Sequence, residues 1–164
     1  MNQRSRISPI LFVLCIVSFF FTFVEISCQG QKVVSLSGIQ LATGTSVDQP
    51  QMFGPAKKEK IAMEPFALLA LLAAIAGAAV FFMAAAMKEK ISAIAGAVGA
   101  ICLLITHSRL DDEIVKRGQG MFQVSFGMGY SLALLLFLAA TAWNGYVWYQ
   151  SMARPAPPVP SPGA

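Results

Sequence analysis

The chain has 164 residues, 56% of them hydrophobic and only 12% charged, with a mean hydropathy of +0.65. So little charge, with the apolar residues gathered in blocks between short charged punctuation, excludes an ordinary water-soluble domain and indicates an integral membrane protein. The net charge of +4 does not point to nucleic acid, because the basic residues flank the apolar blocks, as in "NQRSR", "KKEK" and "KEK", rather than forming a phosphate-binding face.

The composition predicts an all-α membrane fold, a bundle of four transmembrane helices with a small β-hairpin-like outer loop between the first and second. Each block comes close to the roughly 20 apolar residues that a helix needs to cross a bilayer. The first runs from Ile7 to Val24 and holds Phe12, Phe19, Phe20, Phe21 and Phe23 but no glycine. It also fits a secretory signal peptide, with "NQRSR" as the basic leader. Glu25 occupies the position where a lipobox ahead of Cys28 would want a small aliphatic residue, and no A-x-A site follows, so an uncleaved anchor is preferred.

Residues 25–64 read as the outer, periplasmic loop. In "KVVSLS", Val34 and Leu36 alternate with Ser35 and Ser37, as in a half-buried strand. Gly38 breaks it, "IQLAT" reads as a second short extended piece, and "TGTSVDQPQMFGPA" reads as irregular. A hairpin alone is marginal in water, so the loop must rest on the helix ends.

The second span is read as Pro65 to Met87, with the proline suited to a first helical turn, and the third as Ile91 to His107. The fourth is read as Phe122 to Tyr149, closing residues 65–150. Helices in lipid associate through close packing of small residues. Ser92, Gly96 and Ala100 supply them on the third helix, Ser125, Gly129 and Ala133 on the fourth, and Ala70, Ala74 and Ala78 on the second. These three helices are expected to form a tight core, with the aromatic first helix around it or facing a partner. Trp143, Tyr146, Trp148 and Tyr149 form an aromatic belt at headgroup level. Residues 151–164 end in a proline-rich cytoplasmic tail, expected to be disordered or polyproline-like.

Arg4 and Arg6 abut the first span, which usually dominates insertion, so both termini are placed in the cytoplasm. A bare count does not favour this choice. Lys88, Lys90 and Arg154 join them inside, against Lys32, Lys57, Lys58, Lys60, Arg109, Lys116 and Arg117 outside.

The stretch "SCQGQKVVSLSGIQLATG" resembles the first outer loop of a group of small bacterial four-helix membrane proteins. In these a Ser-Cys step leads to Gly-Gln and then to an S-G-x-x-L-A-T-G run. The matching residues are Ser27, Cys28, Gly30, Gln31, Ser37, Gly38, Leu41, Ala42, Thr43 and Gly44. The resemblance covers this loop and the four-helix layout. It implies a bacterial origin and a shared loop fold, and no reaction; the bacterial inner membrane is the expected location. The strand-bearing loop also resembles that of claudin-like proteins, whose tryptophan and paired-cysteine signature is absent here.

Candidate chemistry is sparse. His107, the single histidine, is followed by Asp111, Asp112 and Glu113, which would suit a metal or proton site, or one axial ligand to haem or chlorophyll. A cation favoured by a helix C-terminus is the plainer reading. Cys15 and Cys102 fall in apolar segments, and Cys28 could be a loop thiol. No ionisable residue lies deep in a span, which argues against a pump, and no nucleophile, base and orienter fall together. No cofactor and no metal are expected. The reading is therefore a non-enzymatic accessory or assembly subunit of a larger membrane complex, with a small homo-oligomeric channel or carrier as the alternative. The expected partner contact is Gly30, Gln31, Val34, Leu36, Ser37, Gly38, Ile39, Leu41, Thr43 and Gly44.

Overall fold

The structure, a computed structural model, describes residues 4–28, 31–49, 57–80, 88–118 and 122–153. Helix α1 (Arg4–Ser18) leads into strands β1 (Thr22–Cys28) and β2 (Gln31–Ser37), followed by the short helix α2 (Gly38–Thr43). Strands β3 (Thr45–Gln49) and β4 (Lys57–Ile61) come next, then helices α3 (Pro65–Ala79) and α4 (Lys88–Gly118). Strand β5 (Phe122–Phe126) and helix α5 (Met128–Ala153) complete the described chain.

The expected bundle of four transmembrane helices is corrected. Among the described residues, two helices are long and apolar enough to cross a membrane, over Lys90–Asp112 and Met128–Gln150, each 23 residues. Helices α1 and α3 have 15 residues each, about 22 Å at 1.5 Å per residue, short of a bilayer core of roughly 30 Å. Residues 22–24 of the first expected span and 122–126 of the fourth instead join the outer loop in a three-stranded antiparallel sheet of order β2-β1-β5. The outer loop is correspondingly more than a hairpin.

The first helix stops at Ser18 because "SFFFTF" is aromatic and β-branched, which suits extended chain better than helix. The amides of Phe19, Phe20 and Phe21 donate to Ile16, Val17 and Ser18 carbonyls, which tightens the last turn before β1. The Ser18 hydroxyl donates to the Cys15 carbonyl at 2.6 Å. At the other end, "FQVSF" alternates apolar and polar residues and pairs as β5 with β1, Val24 opposite Phe126 and Cys28 opposite Phe122. Ser125, expected on a helix, therefore lies in a strand.

The register gives the sheet two unlike faces. Leu36, Val24 and Phe126 form one row and Val34, Ile26 and Val124 the next, all facing the core. Ser35, Glu25 and Ser125 alternate with them on the other face, where Lys32 pairs with Glu25 at 2.7 Å. The "IQLAT" segment, expected extended, is helix α2. Its start is a capping box: Ser37 Oγ accepts from the Gln40 amide at 3.3 Å, and Gln40 Oε1 accepts from the Ser37 amide at 3.0 Å. Gly44 ends it at φ 77°, a conformation that favours glycine. The stretch expected to be irregular carries β3, paired antiparallel with β4 as a separate two-stranded sheet.

The four longer helices close into a ring, α1 against α3 and α5, and α4 against α3 and α5. Helix α1 is thus part of the core rather than outside it. Phenylalanines fill notches left by glycines: the Phe12 ring stands against Gly77, the Phe137 ring against Gly99, and Phe19 and Phe23 against Gly38. Residues 81–87, assigned to the second span, and 154–164 of the expected disordered tail lie outside the described residues, while 151–153 continue α5.

Candidate functional site

The sheet is seated on the ends of the helices through a cluster of aromatic side chains. The His107 imidazole, on α4, stacks on Phe126 of β5 with ring centres 4.0 Å apart and planes 12° apart. Its Nδ1 lies 3.1 Å from Asp111 Oδ2, one turn along the helix. Tyr130 of α5 packs against Phe126 at 4.9 Å and meets Phe23 edge-on at 6.0 Å. The Tyr130 hydroxyl donates to the Leu103 carbonyl at 3.1 Å. Beside this cluster, the Arg109 guanidinium lies 5.0 Å from the Phe66 ring centre.

This geometry ties α4, α5, β1 and β5 together and gives His107 a structural task. No group of three or more His, Cys, Asp or Glu side chains that could hold a metal ion occurs among the described residues. Asp112 is exposed, and nothing is described of the Glu113 side chain. Cys15 and Cys102 are free and buried. The Cys28 backbone pairs with Gln31 and Phe122 across the sheet.

The residues expected to touch a partner divide by exposure. Leu36, Gly38 and Leu41 are buried: a Cβ added at Gly38 would stand 2.8 Å from ring atoms of both Phe19 and Phe23. Ser37 caps α2, and the Thr43 hydroxyl, exposed, donates to the Ile39 carbonyl at 2.9 Å. Val34, Ile39 and Gly44 are half-buried, Gln31 pairs through its backbone, and Gly30 lies outside the described residues. The surface this segment offers is therefore Gln40, Thr43 and Ser35, with Ile39 partly showing. Glu64 and Leu41 are joined by a backbone hydrogen bond of 3.0 Å, so α2 is also fixed to the start of α3.

The residues expected to pack helices divide: Gly96 meets α5, Gly129 meets the turn between α1 and β1, and Ser125 lies in β5. Ser92, Gly96, Ala100, Gly129 and Ala133 are all buried. A Cβ at Gly96 would come within 2.6 Å of Thr141 Oγ1, and one at Gly129 within 2.9 Å of the Phe21 Cβ and the Thr22 carbonyl. Ser125 instead donates from β5 to the Glu25 carbonyl at 3.4 Å.

The broadest surface feature is apolar. Ile10, Val13, Leu14 and Val17 on α1, Leu69, Leu72 and Ile75 on α3, Ile94, Val98, Ile101 and Leu104 on α4, and Leu132, Leu135 and Leu138 on α5 are all exposed. The inward stripes carry alanine and glycine: Ala67, Ala70, Ala74 and Gly77 on α3, and Ala133 and Ala140 beside Phe137 on α5. On α3, large apolar side chains face outward over a small-residue inner stripe, and on all four helices exposed leucine, isoleucine and valine cover a surface that water would not favour. Each of these fourteen half-exposed side chains would forgo roughly 1 kcal/mol in water. The sum is on the order of the whole 5–15 kcal/mol stability of a domain. The residue-by-residue alternation was visible in the sequence only as uniform hydrophobicity.

No family model matches the chain, and no curated protein matches it at a significant level.

Proposed function

We propose that the chain is an integral protein of the bacterial inner membrane, non-enzymatic, acting as an accessory or assembly subunit of a larger membrane complex. The carrying observation is the apolar girdle over small-residue helix contacts, since lipid is the solvent in which that surface costs nothing. In this reading α4 and α5 cross the bilayer, α1 and α3 share its apolar layer, and the sheet with α2 stands on the outer side. The sheet platform supports a docking role. It is rigidly joined to α1, α4 and α5 through β1 and β5, and its outward face is polar, with Ser35, Glu25 and Ser125 in one row.

Extraction and sizing test both halves of the reading. Resistance of the chain to alkaline carbonate, with release only by detergent, is the result expected of a lipid-embedded girdle. Sizing in mild detergent with mass spectrometry should then find a fixed stoichiometric set of larger membrane proteins, lost when Ser35, Gln40 and Thr43 are replaced by arginine. Carbonate-soluble protein would refute the membrane reading. A clean homo-oligomer would refute the accessory role and favour a channel or carrier between protomers.

A further inference from the structure

We propose that the end of the bundle remote from the sheet is a collar that binds the phosphate-bearing head groups of anionic phospholipids. Helices α1 and α4 begin at this end, and Lys90, in the first turn of α4, is the exposed cation described there.

Within the collar, Lys90 Nζ lies 5.8 Å from the centre of the Trp148 ring, within cation–π reach. That contact holds an exposed ammonium at the depth of the aromatic belt, with N–H donors left for phosphate oxygens. Tyr146 and Tyr149 are both exposed beside it, and the Gln150 amide donates to the Tyr146 hydroxyl at 2.6 Å. A basic side chain level with aromatic ones, at the edge of an apolar girdle, matches a lipid whose phosphate sits just above its acyl chains. The girdle fits the tails and the Lys90 ammonium fits the head. A zwitterionic lipid satisfies only the first.

The inference rests on the membrane reading above, and the experiment separates the two. The chain has two tryptophans, Trp143 and Trp148, both toward this end, so its intrinsic fluorescence reports on the collar. The full chain is placed in phosphatidylcholine vesicles containing graded amounts of brominated phosphatidylglycerol or brominated phosphatidylcholine, and quenching is compared at equal mole fraction. The expected result is a preference of about fivefold for the anionic lipid, the effect of one basic side chain near a lipid surface. Lys90→Gln should bring the ratio near one, and Lys32→Gln at the sheet end should leave it unchanged. Raising the salt should also shrink the ratio in the unaltered chain, which keeps the test independent of how Lys90→Gln folds. Soluble glycerol phosphate should not compete. Equal quenching by both lipids, or a preference that survives both salt and Lys90→Gln, overturns the collar but leaves the membrane reading intact. Competition by glycerol phosphate overturns it too, since the site would then hold free phosphate. Absence of quenching by either lipid overturns both.

Discussion

Replacing Gly99 by alanine adds one methyl group where the fully buried Phe137 ring already stands. Ring carbons Cδ1 and Cζ lie 2.6 Å from the position that a Cβ would occupy, and Cε1 is closer still. Ordinary carbon contacts are about 3.5–4 Å, so the ring or the helix must move. Phe137 is fully buried, as are Ala133 and Ala140 about one turn away on α5. Overpacking of this kind costs about 1–3 kcal/mol. Alanine also gains about 0.5–1 kcal/mol over glycine in a helix, which would blur the result. Gly145 provides the control, because it is helical and a Cβ there meets nothing within 4 Å. The propensity gain cancels between Gly99→Ala and Gly145→Ala, so the two should differ by about 1–3 kcal/mol, with Gly145→Ala the more stable. Helical circular dichroism followed through a titration from mild detergent into sodium dodecyl sulfate measures both. Phe137→Leu should remove most of the penalty of Gly99→Ala, giving a coupling of about 1 kcal/mol or more. Equal shifts for the two alanine variants, or no relief from Phe137→Leu, would refute ring-into-notch packing between α4 and α5.

Three further outcomes follow from other parts of the molecule. Ser37→Ala removes the side-chain oxygen that caps α2 and should cost about 1 kcal/mol, read as faster amide exchange over Gly38–Thr43 with α4 unaffected. Gly127→Ala would drive its Cβ into the Thr22 carbonyl, a backbone atom that no rotamer change can clear, so amide protection should fall across both β1 and β5. Ile101→Arg, at an exposed site within the apolar window of α4, should cost about 2.5–3.5 kcal/mol of insertion and lower the carbonate-resistant fraction. In a water-exposed surface the same change would be harmless, so unchanged membrane retention would count against the girdle.

Much of the interior follows from residue spacing. Gly96 and Ala100 recur at a one-turn interval, and Gly96 meets Thr141 of α5, so that close approach was visible as small-residue spacing, whereas Gly129, spaced alike with Ala133, meets Phe21 and Thr22. The strand in "KVVSLS" was also legible from its period of two, and the His107–Asp111 pair from its spacing of four. Two local signals were present and passed over: the S-x-x-Q capping box of Ser37 and Gln40, and the alternation of "FQVSF".

Other features had no local signature. A continuous apolar run does not reveal where helix gives way to strand, so the end of α1 at Ser18 was hidden inside "VSFFFTFV". The outcome there depends on β1 finding hydrogen-bond partners on both sides, in β2 and in β5, and β5 lies about a hundred residues further along. Likewise, His107 could be placed beside Asp111 from sequence, but only the pairing of β5 with β1 brings Phe126 under its ring. Composition and small-residue spacing are local and additive, and they determined an apolar, helix-rich chain with closely packed helices. Strand pairing and aromatic stacking are contacts between distant segments, satisfied only when the chain closes, and these decided how many helices are long and how the sheet is anchored to them.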